Sequence, residues 1–255
     1  MKTLQSAVLA AIVACSLLLR PAGDLRAWHD RTHLAIAWAA GFDRWYSAAA
    51  PDVAKSKYPC GAFEGPNHYA HNPEGKPLTA EAVLSQAERY DRTKDGDGHL
   101  YGAIVASVRK YRELRERGKF PDYAMVYCSH YVGDLSMPLH NVAYDEFNRR
   151  RHHAGDAVIE DEAFGLAPVI RSRIYPISIS SEQDLAREIA RIGELSRTLA
   201  LDMQRQGRDM TRREAIVQAV HSASLLRAIL VYAGCPVQDR PESILPRLPE
   251  GLRVK

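Results

Sequence analysis

His130-Tyr131-Val132-Gly133-Asp134-Leu135-Ser136-Met137-Pro138-Leu139-His140 is the stretch on which the reading of this chain turns. It continues a run from Asp122 whose apolar residues recur at helical spacing, so Asp122 to Leu139 reads as a helix with Pro138 near its end. On that helix His130 and Asp134 stand four apart, on one face, with Cβ atoms roughly 5–6 Å from each other. An imidazole and a carboxylate so placed can converge on one cation, and the break at Pro138 can turn His140 back toward the same cavity. The same spacing returns at His152 and Asp156, in a segment that reads as helical from His152 through Phe164. Imidazole and carboxylate donors without thiolates suit zinc in a catalytic rather than a structural site.

Outward from this stretch the pattern stays helical. His33 to Ala50 and Leu100 to Arg117 read as helices, the second with a basic last turn as the helix dipole prefers, and Thr79 to Tyr90 as a shorter amphipathic one. Ser180 with Gln183 and Thr211 with Glu214 fit capping boxes for two long helices, and Gly234-Cys235-Pro236 closes the second. Leu185, Ile189, Ile192, Leu195 and Leu199 recur at spacings of three and four. No period-2 run of useful length competes with them, so the expectation is an all-α, single-domain multi-helix bundle without internal repeats. Between the helices, Pro51 to Pro77 reads as a long irregular loop dense in Pro, Gly, Asn and His, a kind of segment that more often serves function than scaffolding. Asp95-Gly96-Asp97-Gly98 reads as a turn. No Glu closes it as a calcium loop would require.

Composition bounds the function class. At 255 residues, 46% hydrophobic and 25% charged, the chain has the make-up of a globular protein rather than a disordered one. Ser6 to Leu19, behind Lys2, is an apolar run of 14 residues, too short to span a bilayer but suited to a signal peptide. Cleavage after Ala27 would start the mature chain at Trp28 and predicts a secreted or periplasmic protein of residues 28–255. The alternative is a lipoprotein anchored at Cys15. Loss of residues 1–27 removes Lys2, Arg20, Arg26 and Asp24, lowering the formal charge from +3 to +1. Near neutrality argues against a strong long-range grip on nucleic acid or anionic lipid. Cys60, Cys128 and Cys235 are too few and too widely spaced for a disulfide framework or a zinc knuckle, and allow one bridge at most.

His33, Asp52 and His68 in the N-terminal third acquire meaning through a resemblance. The motif His-aromatic-x-Gly-Asp-x-x-x-Pro-x-His, matched by His130, Tyr131, Gly133, Asp134, Pro138 and His140, resembles that of the zinc-dependent phospholipase C and S1/P1 nuclease superfamily, all-α enzymes holding three zinc ions. By that resemblance Trp28 would bind zinc through its terminal amine and carbonyl, and His33 would open the first helix as the next ligand. Asp52 and His68 reproduce an aspartate some fifteen residues before a His-aromatic pair, here His68-Tyr69. His152 and Asp156 fill the last His-x-x-x-Asp/Glu pair, although His153 stands beside His152. The nine implied ligands are Trp28, His33, Asp52, His68, His130, Asp134, His140, His152 and Asp156. Asp134 would bridge two zincs, and Asp52 would sit beside the attacking water as ligand or base. The short stretch from His140 to His152 is closer to the phospholipase branch, whereas the spacing from Trp28 to His33 and Asp at position 156 are nuclease-like.

The resemblance implies a monomeric phosphodiesterase acting on a phospholipid or at a membrane surface. A single-strand nuclease with 3′-nucleotidase activity, or a non-catalytic zinc-binding protein, are the alternatives. The other histidines carry blander expectations: His29, His71 and His99 at the surface, His221 between helices. Phe63, Tyr69 and Tyr144 suit the walls of a cleft or plain packing, and Arg149-Arg150-Arg151 a solvated helix start.

Overall fold

Helical patterns account for every long element among residues 28–239, apart from 73 and 94, which are those described by the computed structural model. The helices are α1 (Asp30–Ala40), α2 (Ala50–Lys55), α3 (Gly61–Glu64), α4 (Ala80–Ala87), α5 (Leu100–Glu116), α6 (Asp122–Leu135), α7 (Glu146–Asp156), α8 (Ala163–Ser172), α9 (Glu182–Gln206) and α10 (Arg212–Ala233). Among the described residues there is no strand, only an isolated bridge between Phe42 and Val237. The all-α expectation therefore holds. The expected signal segment and Cys15 lie outside the described residues.

The segment from Pro51 to Pro77 is not the loop expected from its composition. It contains α2, α3 and a 3-10 turn, Gly65–His68. Pieces of four to six residues are too short to display a 3.6-residue period, so no pattern announced them. Nor does the helix over Asp122 extend to Leu139; it ends at Leu135 and a separate 3-10 turn, Pro138–Asn141, presents His140. Asn141 secures this break. Its amide donates to the carbonyl of Leu135 (3.0 Å), which the helix end leaves without a backbone partner, and to that of Met137 (2.9 Å), which also accepts from the His140 amide, and its Oδ1 accepts from the Tyr101 hydroxyl at 2.9 Å.

Caps fix the two long helices. Thr211 and Glu214 form the expected capping box, and Gly234 takes the left-handed conformation (φ 68°) that ends α10. For α9 the cap is Ser181, not Ser180: its hydroxyl accepts from the Asp184 amide at 3.1 Å while the Asp184 carboxylate reaches back to both serines. A charged acceptor at the third helical position outcompetes Gln183. Leu185, Ile189 and Ile192 are buried as expected, but Leu195 is 42% exposed. The stripe passes instead through Ser196, whose hydroxyl accepts from Asn141 at 3.2 Å, because the helix face drifts over so long a run. By length and composition α10 would suffice to cross a membrane, yet 67% of that window is buried among other helices.

Two apolar clusters form the core. One gathers Tyr101, Ile104, Met125 and Leu135 from α5 and α6, while the other gathers Trp28, Trp38, Ile170 and Met203 around α1, α8 and α9. The chain crosses from the first to the second between Leu135 and Met137, inside the central motif, and α1 contributes to both. The histidines and aspartates of that motif lie at this seam.

Candidate metal centre

Gly133 is where α6 meets α1. A Cβ there would sit 2.4 Å from His33 Nδ1, so only glycine lets the imidazole of α1 lie flat against the helix carrying the motif. His33 stacks on His130 with ring centroids 3.8 Å apart and planes at 16°. The side chains of α1, α2, the 65–68 turn, α6, the 138–141 turn and α7 then converge.

Eight of the nine expected ligands contribute side-chain atoms to three tight groups: His33, His130 and Asp134; Asp52, His68 and His130; His140, His152 and Asp156. Asp134, fully buried, sits between them. Its Oδ1 faces His33 Nε2 at 3.3 Å and His140 Nδ1 at 3.8 Å, and its Oδ2 faces His68 Nδ1 at 2.9 Å and His130 Nε2 at 3.4 Å. Asp52 Oδ1 lies 3.7 Å from His68 Nδ1 and 3.8 Å from His130 Nε2, and His152 Nε2 lies 3.6 Å from Asp156 Oδ2. Trp28 offers no side-chain donor to these groups; its indole is buried in the second apolar cluster. Of the adjacent histidines, His152 is buried and faces Asp156, whereas His153 is exposed and meets His29 edge-on at 4.9 Å.

The backs of the rings are held. His130 Nδ1 donates to the Ala48 carbonyl at 2.8 Å, His140 Nδ1 to the His68 carbonyl at 2.5 Å, and His152 Nδ1 to Asn148 Oδ1 at 2.8 Å. Each acceptor fixes the tautomer and aims Nε2 into the site, as metal-ligating histidines require. His68 is turned the other way, with Nε2 3.2 Å from Glu64 Oε1 and Nδ1 toward Asp134. Glu64 is itself anchored by the Tyr131 hydroxyl at 2.6 Å.

The fronts are not held. Both ring nitrogens of His33, His140 Nε2 and all four carboxylate oxygens of Asp134 and Asp156 are buried without a hydrogen bond, while buried Asp52 Oδ1 is paired with the Lys55 ammonium. Buried polar groups are otherwise almost always satisfied, so this concentration of unpartnered donors at one seam fits a bound cation. Burial pushes His140 down to about 4 and His152 well below its ordinary value, leaving both neutral, with lone pairs to offer. Burial likewise raises the Asp156 carboxyl far above the usual range. Burial would also lower His130, but Asp134 and Asp52 raise it to about 9. Burial opposes ionisation of Asp52 too, and is outweighed by His130 and Lys55, which hold it below the usual range. These buried His and Asp groups can hold metal.

A cavity of about 440 Å³ opens onto them, lined by Asp52, Lys55, His68, His140 and His152 together with Tyr69, His71 and Tyr144. Lys55 Nζ lies 2.7 Å from Asp52 Oδ1 and 3.5 Å from His68 Nδ1. Phe63 does not line this cavity and is 48% exposed. His99 is buried rather than superficial, between Asp95 Oδ2 at 2.9 Å and Asn67 Oδ1 at 2.8 Å, because the Asp-Gly turn folds back to supply its partner. His221 is half-buried and accepts from the Tyr175 hydroxyl at 2.7 Å. Cys60, Cys128 and Cys235 are free thiols.

Reading the sequence missed Glu64, Lys55 and Asn148. Glu64 stands four before His68 and Asn148 four before His152, the same spacing that singled out His130 and Asp134. No protein-family model and no curated protein sequence matches this chain.

Proposed function

We propose that this chain is a zinc-dependent phosphodiester hydrolase of the phospholipase C/S1-P1 nuclease type that cleaves a phospholipid at its headgroup. The observation that carries the reading is the convergence of His33, Asp52, His68, His130, Asp134, His140, His152 and Asp156, several with unpartnered buried atoms, behind a cavity that Asp52, His68, His140 and His152 line together with Lys55. Three zinc ions would be held by these residues together with the main-chain groups of Trp28, with Asp134, whose two oxygens face different histidines, central among the ligands. Zinc held there supplies Lewis-acid polarisation of phosphoryl oxygens and an acidified water as nucleophile.

The chain's own groups do the rest. Asp52, ionised at the cavity wall, accepts a hydrogen bond from the attacking water and orients it for in-line attack. Lys55 places an ammonium beside Asp52, where it meets the negative charge that builds on the equatorial oxygens. Leu139 and Tyr144 supply apolar wall to the same cavity and limit water's access to the diester.

One observation favours a second reading, a single-strand nuclease. Tyr69 and His71 are stacked at 4.3 Å and 18°, and His71 lies nearly parallel to Tyr144 at 6.2 Å, all three on the cavity wall. Such a ladder offers a face to a nucleobase.

The deciding experiment compares hydrolysis of phosphatidylcholine and of single-stranded DNA, each with and without EDTA. Turnover of lipid alone, abolished by EDTA, is the expected result; DNA turnover alone moves the assignment to the nuclease. Metal binding without hydrolysis of even an activated diester overturns both in favour of a zinc-binding protein.

A further inference from the structure

Residues 53–63 supply part of the cavity wall and carry an exposed apolar lip beside it. Val53, Lys55, Ser56 and Gly61 line the cavity, while Tyr58 is fully exposed, Phe63 48% and Val53 56%. Pro59, Cys60 and Ala62 are exposed with them. The segment is firmly built. The Gly61 amide donates to the Lys57 carbonyl at 2.9 Å and the Phe63 amide to the Cys60 carbonyl at 3.0 Å. A Cβ on Gly61 would sit 2.4 Å from the Lys55 carbonyl oxygen, so the return between α2 and α3 is as tight as a glycine allows. A fixed turn that holds aromatic side chains in water marks a contact surface.

The charges on this lip have one sign. Lys57 is exposed and carries the lip's charge, since half-buried Lys55 is turned inward and paired with Asp52 at 2.7 Å, and no carboxylate occurs from Val53 to Phe63. Tyrosine and phenylalanine beside lysine are the composition that partitions into the headgroup region of a bilayer and is drawn to anionic lipid. Because the formal charge of the whole chain is small, that attraction is local to the lip.

We infer that the 53–63 lip docks on the surface of a bilayer containing anionic phospholipid, with Tyr58 and Phe63 entering the interface and Lys57 at phosphate level. Docked so, the mouth of the cavity opens at the depth of the headgroups. The inference rests on the phospholipid reading of the site and names the surface from which that site takes its substrate.

The test uses the chain expressed from Met1 and processed by its host, sedimented with vesicles of phosphatidylcholine mixed with phosphatidylglycerol. Tyr58→Ser and Phe63→Ser are expected to weaken binding at least about tenfold, by loss of a buried aromatic. Lys57→Ala should weaken it about fivefold, and hardly at all on pure phosphatidylcholine. In parallel, EDTA-sensitive hydrolysis of water-soluble bis(4-nitrophenyl) phosphate should be the same in all three variants. Variants that bind vesicles as the unsubstituted chain does overturn the lip. So does a dimer in sedimentation equilibrium that Tyr58→Ser dissolves, which would assign the lip to a second copy. Soluble-diester turnover without vesicle binding sinks the lip and spares the hydrolase, whereas lip-dependent binding without any turnover does the reverse.

Discussion

Gly133 and Glu64 each act on a single histidine, and both can be tested one at a time. Gly133→Ala forces a methyl group onto His33, so it is expected to cost about 1–3 kcal/mol of stability and to lower the zinc content measured by atomic absorption. Glu64→Gln leaves the fold intact but removes the carboxylate behind His68 Nε2; competition against a chromophoric chelator should show zinc held about 10–100-fold more weakly. His221 offers a pH test far from these groups. Burial first, then Arg191, lowers its pKa from 6.5, so the folded chain holds it neutral. A group with a depressed folded-state pKa contributes stability that is complete above its unfolded value and is lost as pH falls below about 6.5. His221→Gln should therefore lower Tm more at pH 7.5 than at pH 5.5; an equal or larger loss at pH 5.5 would contradict the sign.

At the scale of elements, caps and breaks decide where helices stop. Thr211→Ala is expected to cost about 1 kcal/mol in urea unfolding, and Ser181→Ala a similar amount, whereas Gln183→Ala should cost little because Asp184 takes the role that spacing assigned to Gln183. The capping box of α10 was legible since Thr and Glu at that interval have few rivals; before α9 two adjacent serines and two acceptors left the register open to tertiary choice. The pair His130 and Asp134 was legible for a similar reason, because one helix alone puts both on one face. α2 and α3 were not, and with them went Lys55 and Glu64, since helices this short take their stability from neighbours rather than from their own pattern.

For the whole molecule, the two apolar clusters meet along a seam that holds three carboxylates and five imidazoles, an arrangement unfavourable without a bound cation. Chelation with EDTA should lower Tm by several degrees, and added zinc should restore it, since a ligand bound by the folded chain alone stabilises it by mass action. A chain whose Tm ignores both would not hold metal in these groups.

Residue order alone settled the helical class, the helices α5, α9 and α10 and the i,i+4 pairs, because these depend on periods and contacts within a few residues. The helix read over His33 to Ala50 instead ends at Ala40, and that read over His152 to Phe164 is broken after Asp156, since apolar spacing continues through turns that end a helix. Bringing His33 against Gly133, setting Asp134 between four histidines and choosing His152 over His153 depended on how α1, α6 and α7 pack. Those contacts span up to about a hundred residues of chain, and no local spacing encodes the side on which a distant helix arrives.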